Sequence, residues 1–341
     1  MKLKCSGSID LSKWILSLMV VAIHVAPARG FWYEMMIPVL RLAVPLFFMI
    51  SGYLLFIRMK ELDHDKQNEA VIKYLFRILK LYFAWMILLF PVTVWNRKYF
   101  DEGILAGLKK ILKGFVFGST FPASWYLMAL IIGTALVYFG SRYFGNHVVL
   151  IVGNVLYIIC CLLSNYGNYC GSLRGINRIY PTAFFNSFPV AIIWISLGKL
   201  FAEHEKLCRS LEKVKFFGAV LSILLLYCEW FLIRHFRTGE SNDCYFMLVP
   251  CAMFIFTIII TGTRVIRYAR QMRMASTITY CMHISTALIL DEFINFGEVF
   301  GNLALALIIR YCLVVLLCMI VSYFIIIIAE KGKCRIVRNL Y

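Results

Sequence analysis

Along this chain the apolar residues gather into long runs separated by short charged stretches. Ten runs are readable, at about 11–28, 36–57, 74–95, 122–141, 148–164, 184–202, 216–235, 244–263, 275–294 and 303–329. They approach the ~20 residues that an α-helix needs to cross the hydrocarbon core of a bilayer. A helix satisfies its own backbone hydrogen bonds in lipid, so the pattern predicts an all-α polytopic membrane protein with about ten transmembrane helices. The gaps between runs are short, and residues 1–341 read as a single integral membrane domain with no appended soluble domain. No internal repeat and no pair of interrupted helices in matching halves is evident, as a transporter would have. Lys13 and His24 break the first run, and no small-residue cleavage pattern follows it, so it reads as a permanent helix rather than a signal peptide.

Composition agrees: 62% of the 341 residues are hydrophobic and only 16% charged, with a mean hydropathy of +0.80. The net charge of +17 could suggest nucleic acid, but no basic stripe with stacking aromatics stands clear of the apolar runs, so no nucleic-acid partner is expected. Its distribution predicts orientation instead. With the N-terminus in the cytoplasm, that side collects Lys2, Lys4, Lys13, the Arg58 to Lys80 group, Arg142, the Lys199 to Lys215 group, Arg264 to Arg273 and Lys331 to Arg338. This is roughly twice what the other side holds, and it places both termini in the cytoplasm. The stretch 96–121 is the exception, being basic yet outside. Its segment Ile104 to Phe115, with Lys109, Lys110 and Lys113 among helically spaced apolar residues, suits a helix lying in the interface, where it could hold anionic lipid headgroups. The twelve cysteines are scattered except for Cys160 and Cys161 and show no C-x-x-C, so neither a metal site nor a disulfide framework is expected. Cys170 and Cys244 are the one pair that could meet on the outside.

Ionisable residues inside a bilayer are costly and are functional candidates by default. His24 lies about fourteen residues, ~20 Å, into the first run, and Lys13 falls eleven residues earlier, about three turns and ~16 Å along the same helical stripe. His283 is near the centre of the ninth run. Arg41 enters the second, Glu229 sits in the outer half of the seventh and Arg310 opens the tenth; these arginines could snorkel to headgroups, or one could pair with Glu229. Ser51 beside Gly52 reads first as a helix-packing pair, and as a nucleophile only with a base beside it. Trp125 and Tyr126 fit an aromatic belt and could also stack a sugar ring.

One family carries these features in this order. Lys13, ten intervening residues and His24, followed by Val44-Pro45-Leu46-Phe47-Phe48-Met49-Ile50-Ser51-Gly52-Tyr53, resemble the start of the acyltransferase 3 family of integral membrane acyltransferases. Ser124-Trp125-Tyr126-Leu127, Phe188-Pro189 with Gly198, and Ile278-Thr279-Tyr280-Cys281-Met282-His283 continue the resemblance. It implies an enzyme of the bacterial inner membrane that moves an acyl group, usually acetyl, from cytoplasmic acyl-coenzyme A to a hydroxyl of an extracytoplasmic glycan or lipid-linked sugar. Acyl-coenzyme A is then a co-substrate, with no bound cofactor. His24 is the implied catalytic residue, as general base or acyl carrier, and Lys13 the donor-binding cation, where many members have arginine. Lys73 and Arg77 are further basic residues for the anionic donor. Arg41, Ser51, Trp125, Glu229 and His283 are possible site residues. The competing expectation is a transporter or flippase for a polysaccharide or lipid-linked sugar.

Overall fold

The structure, a computed structural model, describes residues 6–98, 100–117, 120–169, 183–236, 238, 242–263, 265–331 and 337–341. Among them the regular structure is helical throughout. Each of the ten expected runs contains a helix, but only six described helical stretches are long and apolar enough to span a bilayer, or seven if a pair bent by 63° at Leu89 counts as one. The difference has two causes. The helices at Phe188–Glu203 and Leu248–Thr261 have 16 and 14 residues, below the ~20 of a full crossing. The helix at Ala269–Phe293 is long enough, but Ser276, Thr279, His283, Ser285 and Thr286 lower its hydropathy. Cys170, which the sequence analysis named as the one cysteine that could meet Cys244, lies outside the described residues, and Cys244 is a buried free thiol.

The chain divides into two compact units. One is built from 41–78 and 126–264, with α3 (Ala43–Met59), α7 (Trp125–Phe144), α8 (Asn146–Leu163), α9 (Phe188–Glu203), α10 (Glu205–Phe236) and α11 (Leu248–Thr261). Its centre is α9, buried at every residue from Pro189 to Gly198 and packed on α3 and α8. Glycines make the close approach possible. A Cβ on Gly52 would sit 2.8 Å from the Ile195 carbonyl oxygen, and one on Gly198 would overlap the Met49 carbonyl. The two glycines thus let α3 and α9 meet backbone to backbone.

The other unit joins Ser6–Leu40, Leu79–Trp125 and Val265–Tyr341. It holds α1 (Ser6–Val25), α2 (Phe31–Leu40), α5 (Phe90–Arg97), α6 (Ile104–Phe117), α12 (Ala269–Phe293), α13 (Phe296–Phe300) and α14 (Leu303–Lys331); α4 (His64–Leu88) is the chain's passage from the first unit into this one. Contacts between α1 and α12 ascend together in number: Asp10 with Arg273, Lys13 with Ser276, His24 with His283. The two helices therefore run parallel. Against them α14 runs antiparallel, with Glu330 beside Arg270 and Arg310 beside Asp291. Val21, Val25, Ala287, Val314 and Cys318 form the apolar seam of the three. The amphipathic α6 turns Gly107 and Gly114 inward and leaves Ile104, Leu105, Leu108 and Leu112 exposed, the pattern of a helix lying along an interface.

Candidate active site

The histidines of α1 and α12 meet. Their ring centroids are 5.3 Å apart with planes tilted by 43°, His24 exposed and His283 wholly buried. The geometry fixes how His283 is protonated. Its Nδ1 lies 2.7 Å from the Tyr280 carbonyl oxygen and 3.2 Å from that of Thr279. Carbonyls only accept, so Nδ1 carries the proton and Nε2 of the neutral ring keeps a lone pair. That Nε2 is buried without a hydrogen-bond partner among the described residues, as is the Thr279 hydroxyl one turn earlier.

Several contacts hold this pair in place. The Tyr280 hydroxyl donates to the Ala123 carbonyl at 2.9 Å, two residues before Trp125. Ala123 has φ +64°, a left-handed conformation costly for a residue with a Cβ. Its turn is fastened by Tyr82 bonded to Thr120 and by the Ser124 hydroxyl accepting from the Phe121 N–H. At the end of α1, Arg310 donates through Nε and Nη2 to the two carboxylate oxygens of Asp291, at 2.7 and 2.6 Å, and through Nη1 to the Val25 carbonyl at 2.7 Å. Arg310 is thus a clasp on the residue after His24, and its acidic partner is Asp291 rather than Glu229.

Lys13 lies three turns from His24 on the same continuous helix. Its backbone carbonyl accepts from Ser276 at 3.0 Å. One turn before it, the buried Asp10 pairs with Arg273 at 3.4 Å. Reasoning from sequence passed over Asp10 and Arg273. The available signal was an acid at the edge of the first apolar run, three residues before a lysine and so on the same face.

The remaining candidates are distributed differently. Lys73 and Arg77 belong to the other unit, where Lys73 pairs with Glu69 at 2.6 Å and the Arg77 guanidinium lies 5.4 Å from the Tyr74 ring centroid. Ser51 lies on α3 of that unit, beside the Gly52 that packs on α9. Arg41 bridges to Asp243 at 2.6 Å and donates to the Asn242 carbonyl. Glu229 is buried and accepts from the Tyr166 hydroxyl and from the backbone N–H groups of Phe246 and Met247, each at 2.8 Å. Two backbone donors at the start of α11 make it a helix anchor. Trp125, half-buried, opens α7. Among the described residues, no group of three His, Cys, Asp or Glu side chains could hold a metal ion.

A buried His283 beside an exposed His24, among described residues that are helical and include membrane-length apolar helices, fits a multi-pass membrane protein. Comparison with known proteins resolves the family. Residues 6–327 match the family model described as acyltransferase domain, and the chain belongs to this acyltransferase 3 family. A protein named amino-acid racemase from Enterococcus faecalis is 27% identical over 270 residues, 76% of this chain and 38% of its own length. A second of that name and organism is 24% identical over 332 residues, 89% of this chain and 45% of its own. A serine/alanine racemase from Enterococcus gallinarum is 25% identical over 264 residues, 74% and 37%. The chain spans less than half the length of these curated relatives. No solved structure matches it.

Proposed function

We propose that the protein transfers an acyl group, acetyl foremost, from cytoplasmic acyl-coenzyme A to a hydroxyl of an extracytoplasmic glycan or lipid-linked sugar, in a bacterial cell membrane with both termini cytoplasmic. The observation that carries this reading is the imidazole pair, with an exposed His24 on the helix that also bears Lys13 and a buried His283 5.3 Å away. Transfer from a thioester to a hydroxyl requires a group that removes the hydroxyl proton or briefly carries the acyl group, and a neutral imidazole does either. Lys13, ~16 Å along the helix from His24, is too distant for the reacting bond. It suits the phosphates of the donor as a point charge, without the bidentate recognition of arginine. Trp125 offers a ring face for a sugar.

Incubation of purified protein with radiolabelled acetyl-coenzyme A and a panel of acceptors tests the reading. Label appearing on a hydroxyl acceptor supports it, and a wild-type protein that releases no coenzyme A in any acceptor's presence sinks it. The names of the relatives favour one second reading, in which an amino acid is the acceptor or the cargo, so serine and alanine belong in the panel. Movement of labelled amino acid or sugar across vesicles without acyl transfer would favour a transporter.

A further inference from the structure

We infer that α8 is an interaction face for a second copy of this chain, closed by a pair of Asn154 amides across a two-fold axis. The starting point is a polar group in an apolar place. α8 is one of the helices long and apolar enough to cross a bilayer, and Asn154 is the ninth of its 18 residues, ~13 Å from either end. Its side chain is exposed, and among the described residues it is the one exposed amide side chain in the middle of a membrane-length helix. One of its N–H groups turns back to the Leu150 carbonyl at 2.8 Å. No described residue takes the second N–H or donates to the amide oxygen. Lipid tails can do neither, so at this depth the amide is served only by another protein group.

The residues around it suit a contact between helices. Ile151, Asn154 and Ile158 follow one another at steps of three and four, the spacing of a seam between two packed helices. Val148, Val152 and Val155 flank them, and all five aliphatic side chains are exposed. β-branched side chains keep few rotamers in a helix, so packing them costs little entropy. The opposite face of α8, with Val149, Gly153 and Tyr157, is already buried, where Gly153 meets the α9 backbone at Ile193. A second copy supplies what the exposed face lacks. Two copies inserted with the same topology hold Asn154 at the same depth, and a two-fold axis along the bilayer normal turns the oxygen of each amide to the free N–H of the other. An amide is complementary to itself in this way, whereas a lipid headgroup does not reach the middle of the bilayer. A single polar residue within an apolar seam also fixes the register and the number of helices that meet there.

The test uses the full-length protein, labelled in two batches with donor and acceptor fluorophores and reconstituted together in lipid vesicles over a range of protein-to-lipid ratios. Energy transfer should rise with protein density to the plateau of a dimer. Asn154→Leu should move the midpoint to about tenfold higher density, and Asn154→Gln, which keeps an amide, should restore most of the association. A second measurement leaves Asn154 in place. On a cysteine-free background, Ile158→Cys should cross-link to its copy under copper phenanthroline, while Leu224→Cys, exposed on α10, should not. Wild-type protein that stays monomeric at every ratio, an Asn154→Leu midpoint equal to that of wild type, or equal cross-linking at the two positions would overturn the inference. Neither measurement involves acyl-coenzyme A, so the outcome is independent of the reaction proposed above.

Discussion

At the scale of residues, the roles proposed for His24 and Lys13 differ because three turns of helix separate them. His24→Gln keeps size and hydrogen bonding but cannot take a proton, so it should reach the membrane at normal abundance and lose about 10² to 10⁴ in transfer rate. Quantitative blotting beside the radiolabel assay checks both halves of that statement. Lys13→Ala should instead raise the acyl-coenzyme A concentration needed for half-maximal rate more than it lowers the maximum, and Lys13→Arg should restore it, as steady-state kinetics will report. Arg310→Lys is a stringent case, because one ammonium cannot reproduce the fork onto Asp291 together with the bond to the Val25 carbonyl. We expect transfer to fall several-fold, and the double variant with Asp291→Asn to be no worse than the poorer single one. How much of this could be read beforehand differs by residue. The placement of His24 and Lys13 on one stripe follows from helical spacing, and the continuous α1 carries it. The meeting of His24 with His283, the partner of Arg310 and the anchoring of Glu229 by backbone donors depend on which helices pack together, and no local periodicity encodes that.

Among the elements, α9, α11 and α12 explain why helix counts differ between sequence and structure. Each overlaps an expected apolar run, yet α9 and α11 are short, while α12 spends its polar residues on an inward face. Apolar content marks burial in protein and burial in lipid alike, so composition alone could not tell the two apart. The packing role expected of Gly52 is legible in both, since small residues at helix contacts are a property of sequence as well as geometry. It has a measurable consequence. Gly198→Val should lower membrane abundance and detergent-resistant stability strongly, because the added carbons would overlap the Met49 carbonyl, which is backbone and cannot swing aside. Overpacking of this kind costs about 1–3 kcal/mol or more, and a thermal-shift comparison with wild type will show it. Were Gly198→Val as stable as wild type, the contact between α3 and α9 would be looser than described.

For the whole molecule, the charge distribution predicts that both termini face one side and the Lys109 region the other. Single cysteines on a cysteine-free background, labelled with a membrane-impermeant maleimide in intact cells, decide this. Labelling at Lys109 with protection at Arg270 is expected, and the reverse pattern would invert the proposed route of the acyl group. The parallel pairing of α1 with α12 bears on how such a protein is made. Asp10 and Arg273 are separated by 263 residues in the chain, so α1 is in place well before the helix that becomes its companion is made. A truncated product would carry His24 without the helix it packs against. On the proposed reaction, a chain interrupted before α12 should carry no transfer activity.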